Sequence, residues 1–482
     1  MSLLKSAKSG IFWSTVDTVG VKVLSFLVSV SMARILDPED FGLVGLIVIF
    51  VAIGGILVDS GMGSSLIRDN DATDLDFDTV FYTNIVISVF LYIVLYVSAP
   101  LISSFFGHEI LTSIVRVYGL SYIISALFIT QQTRLIKDLQ FKKIAFLNMP
   151  STLLSGVIAI IMALNGYGVW SIVAMYLTSQ LIKLCLVWWH TQWKPSLQFS
   201  TKSLKYHFNY GYKLIISGIL GVFTREMYTM VIGKRFDVAS VGYFQRAHSV
   251  KSYPVSTLGS VLNRVSFPIL SKIKDDKEKI SKIYQSILKV SFFVMTAFMT
   301  TLIVISEPLF IFLFTEKWSA AIPYFRIVAL AGILVPIHSF NLNIFRIYGR
   351  TDVLLKLSVI KNVMVLVSIF IGVYFGIIGL LWASVVTSVI SLFINTYSSQ
   401  EMIGYSTTQQ LSDMSPVFLI AVFSYWVSSN LMLQVLDIHE LFLILLGSFF
   451  FLSTFLGSNF LLKTDALKET LSMGKKLIIE RV

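Results

Sequence analysis

Basic and hydroxyl side chains sit at helical spacing inside apolar runs of this sequence. In the run 11–36, Ser14, Thr18, Lys22, Ser25 and Ser29 follow steps of four, four, three and four, one stripe of a helix with Asp17 beside it. In the run 208–232, Lys213, Ser217, Gly221, Arg225 and Tyr228 form a matching stripe with Glu226 adjacent. In 238–270, Arg246, Ser249, Tyr253, Thr257, Ser260 and Arg264 share a face, with His248 and Lys251 off it, and Asp59 lies within DSGMGSS. A charge at mid-bilayer costs about 2.5–3.5 kcal/mol on insertion scales, so such groups face a partner or a water-filled cavity. Arginine offers phosphate a planar fork and lysine a compact point charge. Lys22, Arg225, Arg246 and Lys251 are therefore expected to line a cationic cleft for an anionic, hydrated substrate, with Tyr228, Tyr243 and Tyr253 offering ring faces and hydroxyls to sugars. Structural readings compete at each position. Lys22 has Asp17 or Asp59 as an ion-pair partner, Arg225 has Glu226 or Asp59, and the tyrosines have ordinary packing. Asp17, Asp59, Glu226 and His338 are the candidates for ion coupling or gating, and His338 also reads as a hydrogen-bonded core histidine.

The elements that must position these groups are membrane spans. Of 482 residues, 55% are hydrophobic and 13% charged, about half the charge of a soluble domain. Apolar runs of about 20 residues, each enough to cross roughly 30 Å of hydrocarbon, recur along the chain. Cutting at polar and Gly/Pro punctuation predicts an all-α protein of about fourteen spans: 11–36, 41–67, 80–105, 111–135, 144–164, 169–193, 208–232, 238–270, 284–314, 322–347, 354–375, 377–397, 416–436 and 441–462. The first is too long for the apolar core of a signal peptide. Alternate connections differ sharply in charge. One set holds Lys5, Lys8, Arg68, Arg134, Lys137, Lys142, Lys143, Lys194, Lys202, Lys205, Lys272 to Lys282, Arg350, Lys356 and the tail; the other holds Lys234, Arg235 and Lys317. The positive-inside rule then puts both termini in the cytoplasm and accounts for most of the net +11 without nucleic acid. In the tail, Leu467, Leu471 and Ile478 recur with lysines between, as in a helix lying on the membrane surface or one that is merely solvated.

An internal repeat organises the spans. ARILDPEDFGLVGL and GKRFDVASVGYFQR align Asp37 with Asp237, Arg34 with Lys234 and Gly42 with Gly242, and a second glycine-rich hairpin follows in each half, NGYGVWSIV and FGIIGLLWASVV. The repeat is parallel, its axis along the membrane normal. It predicts a first lobe over 1–193, a cytoplasmic linker at 194–207, a second lobe over 208–400, two further helices in 401–462 and a cytoplasmic tail at 463–482. The single Cys185 rules out a disulfide framework, and the six histidines show no metal spacing. No phosphate-binding glycine loop is present, so no cofactor is expected and no ATP site drives the chain. Membrane potential, H+ or Na+ remain as energy sources.

KSGIFWSTVDTVGVKVLSFLVSVSMARILDPEDFGLVGL, followed by VDSGMGSSLI, resembles the first two helices of the bacterial polysaccharide transporter family, the lipid-linked oligosaccharide flippases (Wzx-type) of the MOP superfamily. LNRVSFPILSKIKDDKEKISKIY resembles the end of their eighth helix with its loop, and NGYGVWSIV their fifth-to-sixth turn. The similarity covers nearly the whole chain and is nearest to the colanic acid flippase type. It implies a V-shaped pair of six-helix lobes in the bacterial inner membrane that moves an undecaprenyl-pyrophosphate-linked repeat unit outward by alternating access. It also implies that Lys22, Arg225 and Arg246 occupy cavity positions, that the partners are this lipid-linked oligosaccharide and membrane lipid, and that a polysaccharide polymerase and a chain-length regulator act beside it. Two other functions compete with this one. A multidrug antiporter of the same superfamily calls for an acidic cavity, and a membrane-embedded polymerase or glycosyltransferase calls for a large outer loop or acidic metal motifs. Neither feature is visible in the sequence.

Overall fold

In a computed structural model, the chain is described over residues 3–273, 276–435 and 438–479, side chains excepted at 3–11, 261–265, 267–269, 272, 351 and 474–479. The described residues hold helices and turns only: α1 Leu3–Ile35, α2 Pro38–Asp59, α3 Met62–Arg68, α4 Asp74–Phe106, α5 Ile110–Lys137, α6 Phe141–Leu164, α7 Val169–His190, α8 Thr201–Arg235 and α9 Val238–Lys272. There follow α10 Lys277–Val304, α11 Ser306–Phe314, a 3-10 turn, α12 Ala321–Ile347, α13 Thr351–Val373, α14 Gly376–Ile403, α15 Thr407–Met432, α16 Glu440–Leu461 and α17 Asp465–Ile479. Among the described residues, thirteen helices are long and apolar enough to cross a membrane. The expected eighth span, α9, has the length but is not among them; its sequence carries Arg246, Lys251, Arg264 and Lys272. Arg264 lies outside the described side chains.

Predicted and observed elements differ where chemistry overrides hydropathy. Several helices run past their apolar runs into the charged layer. The start of α4 is set by a capping box in which the Thr73 backbone N–H donates to Asp76 Oδ2 at 2.8 Å, and that of α8 by Ser200, whose Oγ accepts from the Ser203 N–H. The single span expected at 41–67 breaks into α2 and α3. Ser60 and Gly61 turn left-handed there, at φ 52° and 63°, and a Cβ on Gly211 of α8 would lie 2.3 Å from the Ser60 carbonyl oxygen. The span expected at 284–314 divides at Ile305, ahead of Pro308, which has no N–H to give.

The chain forms two compact units, Met1–Gly242 and Tyr243–Val482. In the first, α1 packs on α6, α6 on α7, α4 on α5, and α8 lies along α2, α3 and α4. The packing inverts the soluble pattern: on α4, Asn84 and Ser88 are buried while Val86, Phe90, Val97 and Leu101 are exposed, as a lipid-facing helix requires. The repeat-equivalent hairpins meet inside this unit. A Cβ on Gly42 would lie 2.0 Å from the Val238 carbonyl oxygen, and one on Gly242 would lie 2.0 Å from that of Pro38. Residues that align in sequence thus make the same contact reciprocally. In the second unit α12 packs on α10 and α14, α14 on α13 and α15 on α16, over a buried aromatic core that includes Phe310, Phe325, Phe340 and Trp318. The tail helix α17 docks on α10 and α15, its Glu469 accepting from Ser286 Oγ at 2.6 Å, so it is not only a solvated or surface-lying element.

Candidate functional site

In the first unit, α1, α6 and α7 bring polar groups together. Asp17 is half-buried and accepts two hydrogen bonds from Asn148 Nδ2, at 3.1 and 3.2 Å. Lys183 of α7, which has no partner legible in the sequence, lies close enough to attract the same carboxylate. Lys22 is partly buried one turn and a half further along α1. The expected stripe then divides. Thr18 donates to its own helix at the Ser14 carbonyl, whereas Ser25 and Ser29 open into a cavity of about 200 Å³ shared with Thr152, Ser155 and Tyr176. Asp59 stands beside the α2–α3 break, with Oδ1 2.9 Å from where a Cβ on Gly63 would be; it makes no ion pair among the described residues.

On α8, Arg225 pairs with Glu226 at 3.1 Å, the guanidinium largely exposed and the carboxylate 13% exposed. This is one of the two pairings the sequence allowed. Tyr228 is partly buried. In the second unit, Arg246 is 5% exposed, its guanidinium 4.9 Å from the ring centres of both Phe314 and Trp318. Lys251 passes α12 at Gly332, its stem 3.0 Å from where a Cβ would sit, and Tyr253 is partly buried.

His338 is held in a polar lattice across α12 and α14. Asn395 Nδ2 donates to its Nδ1 at 3.2 Å, so Nε2 carries the proton and donates to Ser388 Oγ at 3.0 Å. Beside it, Asn341 Oδ1 accepts from the hydroxyls of Tyr284 and Ser399. The core-histidine reading describes this geometry. Two further groups escaped sequence reasoning. His207 is fully buried, its Nδ1 2.9 Å from Ser65 Oγ and its Nε2 3.4 Å from Asp76; Lys289 pairs with Asp413 at 3.2 Å, which also accepts from Tyr405. Each partner lies more than 100 residues away in the chain, apart from Tyr405 and Asp413, and no spacing rule connects them. No group of metal-ligating side chains occurs among the described residues.

The pattern of the family described as "Polysaccharide biosynthesis protein" matches residues 31–323, more than half of the chain. The chain belongs to that family. Similar proteins include the teichuronic acid biosynthesis protein TuaB of Bacillus subtilis (strain 168), 25% identical over 87% of this chain and 87% of TuaB. The lipopolysaccharide biosynthesis protein WzxC of Escherichia coli (strain K12) is 22% identical over 82% of each chain. The succinoglycan biosynthesis transport protein ExoT of Rhizobium meliloti (strain 1021) is 25% identical over 87% of this chain and 83% of ExoT. Among solved structures, the lipid II flippase MurJ in an inward closed conformation superposes with a TM-score of 0.74 at 17% identity, covering 92% of this chain and 97% of MurJ. An inward-facing multidrug resistance MATE transporter of the MOP superfamily gives 0.63 at 18% identity, over 79% and 94%. This polysaccharide biosynthesis protein is therefore a multi-pass membrane protein with the MurJ- and MATE-like fold.

Proposed function

We propose that the protein is a flippase that moves undecaprenyl-pyrophosphate-linked oligosaccharide repeat units from the cytoplasmic to the periplasmic leaflet by alternating access, for exopolysaccharide, capsule or O-antigen synthesis. The observation that carries this reading is cationic side chains within apolar helices, in a family whose relatives are named for polysaccharide synthesis and transport. A pyrophosphate-sugar head does not cross hydrocarbon unaided, and cations with hydroxyls replace its water and counter-ions. Lys22, Arg225, Arg246 and Lys251 hold the pyrophosphate in this reading, with Tyr228 and Tyr253 against the sugars. Asp17 with Lys183, Asp59, Glu226 and His338 are the groups available for coupling to H+, Na+ or the membrane potential. Two six-helix lobes rock about the bound head, followed by the pair α15–α16, in the bacterial inner membrane with both termini cytoplasmic. The chain works as a secondary transporter, beside a polymerase and a chain-length regulator.

The test removes charge from Lys22, Arg225 and Arg246 together, each changed to glutamine. Polymer export collapses and intact lipid-linked units accumulate on the cytoplasmic leaflet, whereas a polymerase defect lets single units cross. Normal export from the triple variant sinks the reading.

A further inference from the structure

A cavity of about 320 Å³ opens in the first unit where α5 turns into α6 and α7 ends. It is at the low end of small-molecule sites, about 300–1,000 Å³, and holds a sugar ring sooner than a whole oligosaccharide. Its wall sums to no net charge. Arg134 is tied to Asp74 at 2.6 Å, and Lys143 and Asp138 add one charge of each sign. A wall without net positive charge gives a phosphate guest no electrostatic preference.

Hydrogen-bonding capacity remains. Gln131, which is buried, lines the cavity; with its amide oriented so that the nitrogen donates to the Leu127 and Phe128 carbonyls at 3.1 and 3.2 Å, it is a fixed polar group in the wall. Asp138 adds acceptors, and Gln192 adds donors. Trp193 is braced edge-on by Phe77 and Phe81, ring centres 6.0 and 6.1 Å away, and supplies a rigid aromatic wall. Leu139 adopts φ 56°, a left-handed conformation uncommon for a non-glycine residue, and its two neighbours Asp138 and Gln140 both line the cavity. A neutral polyol with one apolar ring face uses donors, acceptors and aromatic wall at once.

We propose that this cavity binds a neutral hexose ring and serves as a loading site for the sugar head of the lipid-linked substrate on the cytoplasmic side. The loading role rests on the flippase reading; the hexose site does not. None of Lys22, Arg225, Arg246 or Lys251 lines it.

The full-length protein in nanodiscs is titrated with the methyl glycosides of glucose, galactose and mannose by saturation-transfer NMR, with inorganic phosphate as competitor. At least one hexoside shows transfer that phosphate does not displace, and the double variant Asp138→Ala, Gln192→Ala binds it about tenfold more weakly. Both side chains are exposed, and an unchanged Tm verifies the fold of the variant. Transfer that is absent for every hexoside, unchanged in the double variant or displaced by phosphate overturns the site. In cells, export by the double variant falls several-fold if the guest is the substrate head. Unchanged export alongside lost hexoside binding overturns the loading role and makes a free cytoplasmic sugar the guest. Failure of the flippase reading is separately visible: the triple variant at Lys22, Arg225 and Arg246 then exports normally, with hexoside binding intact in either case.

Discussion

A carboxylate in an apolar helix needs a donor, and Asp17 has one amide from another helix for both of its oxygens. Sequence spacing singled out Asp17, because an acid within an apolar run is visible from composition alone. Asn148 was not legible, since amides are common in such helices and the two residues are 131 apart. Removing the amide strands the acid. Asn148→Leu is expected to cost about 1–3 kcal/mol, read as a lower Tm in detergent. The double variant Asp17→Leu, Asn148→Leu recovers part of that loss, since neither member of the pair is left without the other, while Lys183 loses the carboxylate that attracts it. An additive double variant would mean that the pair contributes nothing. The same contrast separates Arg225 from His338. The partner of Arg225 was one of the pairings foreseen because it is the next residue, whereas those of His338 come from α14 through tertiary packing.

At the scale of elements, glycines decide where helices touch. Gly42 and Gly242 were paired by aligning the two halves, and the structure makes them a reciprocal contact in which each passes the carbonyl of the other hairpin. A side chain at either place overpacks backbone against backbone, which neighbouring residues cannot relieve by changing rotamer. Gly42→Val and Gly242→Val each lower the yield of monodisperse protein about tenfold in fluorescence-detected size-exclusion chromatography. Gly55→Ala, with no atom within 4 Å of its Cβ, leaves the yield unchanged. Equal yields for all three would show that the close approach is not needed. Element boundaries were less legible. The break at Ser60–Gly61 needs the backbone of α8 beside it, and hydropathy alone reads straight through.

At the scale of the whole molecule, charge asymmetry between alternate connections makes a directional prediction. With Cys185→Ser as background, a cysteine replacing Glu316 reacts with a membrane-impermeant maleimide in intact cells. A cysteine replacing Lys137 reacts only after permeabilisation. The opposite labelling pattern inverts the topology and with it the proposed direction of transport. Hydropathy, helical period and the spread of lysine and arginine were sufficient for an all-helical, many-span protein with cations in its spans, because insertion energies depend on residue type and run length and hardly at all on distant partners. The tertiary structure alone decided what each charge meets: Asp17 the amide of Asn148, Lys289 the carboxylate of Asp413, Arg246 the rings of Phe314 and Trp318. Hydrogen bonds, ion pairs and ring contacts act over a few ångströms, and only folding brings residues that are tens to hundreds of positions apart within that reach.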